Sequence, residues 1–164
     1  MANSGKSARA RRPARHDAVT LLKADHRQVS QWFAQFKKTS SKERQNALAR
    51  EICHALRLHT SIEEEIFYPA FLEATKDKDI HHEAEVEHHG AKELLAEIER
   101  SSASDDYFKA KINVLGEMIK HHVKEEEKPG GMFSEARRAK MDLASLGEQL
   151  AARKSQLEAT EQAA

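Results

Sequence analysis

Cysteine is almost absent from this chain: Cys53 stands alone among 164 residues. That excludes an internal disulfide and fits a reducing, cytoplasmic setting, with Cys53 read as a small packed side chain. Glycine (6) and proline (3) are scarce, so there are few points at which a helix must stop. Aromatic residues make up 5% and alternating apolar patterns are missing, which removes the signal for strands. No apolar run approaches the roughly 20 residues of a bilayer span, and no apolar leader core follows the start, so a membrane partner is not expected. The 27 basic and 27 acidic residues cancel, so the molecule as a whole is no polyanion binder and nucleic acid is not an expected partner. Nucleotide-binding loops and the HExxH motif are also missing.

Histidine is the residue in excess, with ten against one Trp and two Tyr. It is the commonest metal ligand, and the pattern around it is helical almost throughout. Residues 1–15, rich in Ser, Ala and Arg, read as a disordered basic tail. Leu22, Val29, Trp32, Phe33 and Phe36 mark a first helix over about 17–38. Ser40 or Ser41 opens a second over about 41–74, with Leu48, Ile52, Leu56, Ile62 and Ile66 as its stripe and Pro69 bending its end. Ala91, Leu94, Leu95 and Ile98 mark a third over about 78–100. Ser104, Asp105 and Asp106 open a fourth, whose stripe is Phe108, Ile112, Leu115 and Ile119. After Pro129-Gly130-Gly131 a fifth helical segment runs over about 134–158, through Met141, Leu143, Leu146, Leu150 and Leu157. The expected fold is all-α: an antiparallel up-down-up-down four-helix bundle over residues 16–135, with an additional C-terminal helix and tail over 136–164.

The chain repeats itself. His26 and His88 lie 62 residues apart, while His59 and Glu63 recur 63 residues later as His122 and Glu126. Residues four apart share a helix face, so each His-xxx-Glu pair aims an imidazole and a carboxylate at one point. Both pairs continue an apolar stripe, as do His26 and His88. Two facing carboxylates inside a bundle repel unless cations join them. The six residues His26, His59, Glu63, His88, His122 and Glu126 are therefore the candidate metal ligands. Glu85, His54 and His89 are further ligand candidates, and the remaining residues of the Glu63-Glu64-Glu65 and Glu125-Glu126-Glu127 runs read as solvated.

These residues resemble the hemerythrin HHE cation-binding family. The likeness lies in Asp25-His26, in His59-xxx-Glu63 leading to Ile66-Phe67-Tyr68-Pro69, in Glu87-His88, and in His122-xxx-Glu126 leading to Met132-Phe133. It covers about residues 17–135. The resemblance implies a centre of two iron ions with an oxo or hydroxo bridge. His26 and His59 would hold one iron and His88 and His122 the other, with Glu63 and Glu126 bridging. It also implies a small diatomic or peroxide ligand: O2, peroxide or nitric oxide, handled or sensed. Two departures stand out: Ala84 occupies the place of an extra histidine found in oxygen-carrying relatives, and Glu126 that of an aspartate one residue further on. They leave both metals open and favour reaction or sensing over reversible carriage. An iron-responsive module without turnover, docking a protein partner through its C-terminal helix, and a zinc-occupied bundle are the alternatives.

Overall fold

The first helix, α1 (Ala18–Lys38), begins where the Asp17 carboxylate accepts a hydrogen bond from the Thr20 amide at 2.7 Å, satisfying one of the orphan donors of a helix start. In this computed structural model, which describes residues 16–163, the expected basic tail over 1–15 lies outside the described part. Ser41 caps α2 (Lys42–Ile62), accepting from the Arg44 amide. The helix continues through a π turn (Glu63–Phe67) into α3 (Tyr68–Thr75), which ends at Lys76 in the left-handed conformation (φ 59°). Asp77 caps α4 (Lys78–Glu99). Then come α5 (Phe108–Glu127), α6 (Met132–Arg138) and α7 (Leu143–Ala163). No strand occurs among the described residues, and no helix there is long and apolar enough to cross a membrane.

Two boundaries differ from the sequence pattern. The fourth helix starts at Phe108, not at the Ser104 cap, because Asp105 turns back to accept from the Ser102 amide at 2.5 Å. Its capping capacity is spent inside the connecting turn. The single fifth segment is two helices. Lys140 adopts a left-handed φ of 55°, the Met141 amide reaches back to the Ala136 carbonyl, and Asp142 caps the next helix through the Ser145 amide.

Side chains on the inner faces form two apolar layers. One holds Leu22, Ile62, Phe67, Ala84, Met132 and Phe133, and the other Val29, Phe36, Leu56, Ala91, Leu95 and Leu115. The N-terminal part of α1 and the C-terminal part of α2 belong to the first layer; the opposite parts belong to the second. α4 likewise enters through the first layer with Ala84 and leaves through the second with Ala91, Leu95 and Ile98, while α5 contributes Phe108, Ile112 and Leu115 to the second. Each fully buried aliphatic side chain contributes about 1.5–3 kcal/mol. Between the layers α1, α2, α4 and α5 each carry a polar turn. Leu143, Leu146 and Leu150 of α7 join the first layer, and Gly147 lies against the backbone ahead of α1, where a Cβ would collide with the His16 carbonyl.

Candidate metal centre

The polar turns meet in one place. His26 follows Leu22 and precedes Val29; His59 follows Leu56; His88 follows Ala84; His122 follows Leu115 and Ile119. Helical spacing therefore turns all four imidazoles inward between the apolar layers, and all four are buried, as are Glu63 and Glu126. His26 Nε2 and His59 Nε2 stand 3.1 Å apart, and His88 Nε2 and His122 Nε2 also 3.1 Å apart. The carboxylates connect the two pairs. Glu63 Oε2 lies 3.2 Å from His59 Nε2 and 3.3 Å from His88 Nε2. Glu126 lies 3.4 Å from His26 Nε2 and 3.5 Å from His122 Nε2. The structure thus brings together all six sequence candidates.

Behind this ring stands a second ring of carboxylates, one at the outer nitrogen of each imidazole. His26 Nδ1 meets Glu127 at 2.8 Å, His59 Nδ1 meets Asp25 at 3.3 Å, His88 Nδ1 meets Glu64 at 3.0 Å and His122 Nδ1 meets Glu87 at 2.6 Å. Such partners fix the tautomer with Nδ1–H outward and leave the Nε2 lone pair facing the centre. They obey the same repeat: Asp25 and Glu87 are 62 apart, Glu64 and Glu127 are 63. Glu127 is exposed and Glu64 half-buried, in keeping with their reading as solvated, but each also meets an imidazole, which that reading did not include. One α-helical step from a ligand points away from its face, but the neighbouring helix brings an imidazole to that side.

The other ligand candidates lie elsewhere. His54 is half exposed and pairs with Glu161, His89 is exposed beside Glu93, and Glu85 is exposed beside His81. Helical phase explains this, since none of the three falls on an inward stripe.

Tyr68 is the residue that periodicity misses. In a regular α-helix, position 68 lies about 140° round from 63. The π turn, marked by the Tyr68 amide bonding to the Glu63 carbonyl, adds a residue to that turn and closes the gap. Pro69 follows at once; it lacks an amide hydrogen and crowds the carbonyl four residues back, which favours such a widened turn. The Tyr68 hydroxyl consequently donates to Glu126 Oε1 at 2.9 Å, lies 3.0 Å from His88 Nε2 and reaches Glu63 Oε2 at 3.4 Å.

Electrostatics show how the ring copes without cations. Burial opposes a charged imidazole at His59, yet Glu63 and Asp25 outweigh it and push the ring up to about 10. His88 rises to about 9 against the same burial through Glu63 and Glu64. Burial would raise the Glu63 carboxyl, but His59 and His88 hold it well below the usual carboxylate range. Burial, then Glu63 and Glu126, drive the Tyr68 phenol well above its ordinary value. Even so, Glu63 Oε1 and Glu126 Oε2 are buried without a hydrogen-bond donor, a state costing about 1–3 kcal/mol per group. Four imidazole nitrogens and two carboxylates with orphaned oxygens fit a pair of first-row cations. Two sets, His26-His59-Glu63-Glu126 and Glu63-His88-His122, each converge within 4.8 Å.

Comparison with known proteins fits this geometry. The model of the hemerythrin HHE cation binding domain matches residues 17–129. The chain belongs to that family. A solved hemerythrin HHE cation binding domain-containing protein from Mycobacterium kansasii superposes with a TM-score of 0.71 at 27% identity, covering 88% of this chain and 89% of its own. Among curated proteins none matches. The hemerythrin-family fold shown by these likenesses is an all-helical bundle able to hold metal. Here α6 and α7 continue beyond the matched residues.

A groove of about 270 Å³ runs between α1 and α5 and reaches His26, with Phe33, Gly116, Ile119 and Val123 along it. A small void of about 10 Å³ touches all four imidazoles and is bounded by the same Ile119 and Val123.

Proposed function

We propose that this hemerythrin-family protein holds two iron ions and uses them to react with or sense a small uncharged oxidant: O2, peroxide or nitric oxide. The observation that carries this is the buried pair of carboxylates, each set between imidazoles of opposite pairs and each with a buried oxygen that accepts no hydrogen bond. His26 and His59 would hold one ion, His88 and His122 the other, and Glu63 and Glu126 both; an oxo or hydroxo bridge is part of the proposal. Six donors for two ions leave coordination positions open, which suits a reactive centre better than a closed structural zinc site. Bound iron supplies Lewis acidity and two one-electron redox steps at a single point.

The chain's own residues do the rest. Asp25, Glu64, Glu87 and Glu127 orient the four rings. Tyr68 holds a proton on its hydroxyl, directed at Glu126. The apolar layers exclude bulk water. Ile119 and Val123 separate the α1–α5 groove from the void at the imidazoles, and a void near the size of one water admits a diatomic or a peroxide and little more. A reducing cytoplasm, in which ferrous iron is available and Cys53 stays a thiol, is the compartment that suits this reading.

Metal analysis with an absorption spectrum on protein loaded anaerobically and then exposed to air tests the proposal. Two irons per chain are expected, with near-ultraviolet bands of a bridged ferric pair. Peroxide consumption should disappear in His59→Ala. Binding of one ion or none, or zinc held in preference to iron under these conditions, refutes it.

A further inference from the structure

Each of the four outer carboxylates has a basic side chain on its far side. Lys92 donates to both oxygens of Glu64 at 2.8 Å, Lys23 lies 4.0 Å from Glu127, and His121 lies 3.2 Å from Glu87. Those three come from α4, α1 and α5, so the duplicated bundle supplies them itself. The fourth is Lys154 of α7, which donates to Asp25 at 2.7 Å. The repeat accounts for the exception. Position 58, 63 residues before His121, is Leu58, a buried aliphatic residue. The first hairpin has no basic side chain there to brace Asp25 as the second braces Glu87, and α7 provides one.

The helix is built for this in two parts. Its first two turns are anchored by Leu143, Leu146 and Leu150, whereas none of residues 151–161 is buried. That second part is held by the partly buried Leu157 and by ion pairs: Arg153 with Glu65 on the π turn at 2.6 Å, His54 with Glu161 at 2.8 Å, and Lys154 with Asp25. Exposed pairs contribute little. The Lys154–Asp25 pair is the best shielded of the three, with side chains 26% and 19% exposed.

We infer that Lys154 is a positioning residue for the ion held by His26 and His59: the C-terminal half of α7 sets Asp25, and Asp25 sets the His59 ring. The inference rests on the two-metal reading above. Linkage makes it reciprocal, so a loaded centre holds that half of α7 down more tightly than an empty one. The C-terminal helix then reports the state of the centre to its surroundings.

The test titrates full-length, metal-free protein anaerobically with iron(II), beside Lys154→Met and Lys154→Arg, and follows heat of binding and cleavage after Leu157 and Glu158 by residue-specific proteases. Wild-type protein takes up two ions and its α7 cleavage slows on loading. Lys154→Met keeps two sites but weakens one of them on the order of tenfold, the lower end for loss of a group that orients a ligand. Its cleavage becomes indifferent to iron, and Lys154→Arg restores both behaviours. Unchanged affinities in Lys154→Met, or iron-dependent protection that survives the substitution, overturn the inference and leave the function reading standing. Failure of wild-type protein to bind two ions overturns the function reading itself.

Discussion

Replacing Glu63 by methionine should move the stability of the metal-free and metal-loaded proteins in opposite directions. Glu63 is fully buried, sits 3.2 and 3.3 Å from two imidazoles and leaves Oε1 without a donor. In the metal-free protein the substitution removes that orphaned oxygen and lets His59 and His88 become neutral. Replacing a whole buried ion pair by apolar side chains of similar volume is commonly neutral or stabilising by about 1–4 kcal/mol, and that figure carries over here because the imidazoles left behind keep Asp25 and Glu64 as partners. At about 2–4 °C per kcal/mol for a chain of this size, the Tm in chelator stays level or rises by up to roughly 15 °C. In the loaded protein the same carboxylate is shared by both ions. Free iron at a thousand times its Kd adds about 4 kcal/mol per site, and losing one site's share lowers the Tm by roughly 8–16 °C. Scanning calorimetry with chelator, and under anaerobic iron(II), measures both shifts. A fall of equal size in the two states refutes the reasoning, because it would make Glu63 an ordinary member of a structural hydrogen-bond network.

Tyr68→Phe removes the donor to Glu126 Oε1 and should cost the metal-free protein about 1–3 kcal/mol, read as a lower Tm; an unchanged Tm would show the hydroxyl to be idle. The raised His59 and His88 values set a pH dependence. Charged imidazolium stabilises the metal-free fold fully below about 6.5, the ordinary histidine value, and that contribution fades as pH rises through about 9 and 10. Iron must displace those protons, so apparent affinity should climb over the same window with proton release; calorimetry in buffers of different ionisation heat checks it, and a flat profile contradicts it. Ile119→Trp, filling the groove floor beside His26, should slow azide binding to the loaded protein in stopped flow while metal content stays at two; an unchanged rate would place the entry route elsewhere.

Much of the fold was legible because each helix follows one period without interruption. Leu22 to Phe36, Leu48 to Ile62, and Phe108 to Leu115 sit where a 3.6-residue repeat puts them, and the cap at Ser41 is local chemistry. The ring of six was legible because the duplication states it twice. Three features were not. Tyr68 depends on a π turn, which shifts the phase of everything after it and leaves no mark in a periodic pattern except the nearby Pro69. The imidazole contacts of Glu64 and Glu127 were hidden because their own helices face them outward, and only the partner helix supplies His88 and His26. The break at Lys140 lies within a stretch that is apolar at helical intervals, and a single left-handed residue that is not glycine gives no warning.

The duplication also predicts more symmetry than the molecule has. The six candidate ligands and four outer carboxylates repeat faithfully, so two identical ions would be expected in identical places. Beyond them the halves diverge. The residue 63 positions after Tyr68 is Gly131, because the second hairpin ends at Lys128 before Pro129 while the first runs on through its π turn. At the place that corresponds to Tyr68 there is instead a cavity of about 110 Å³ bounded by Glu87, Glu126 and Gly131. The hydroxyl therefore stands beside His88 alone among the four imidazoles, while α7 braces Asp25 behind His59. One position gains an oxygen at its inner side, and the other takes one of its outer basic partners from α7 rather than from the four-helix core. An ion near a buried phenol and an ion whose histidine is braced from a detachable helix differ in charge environment, so the two sites should load in sequence rather than together.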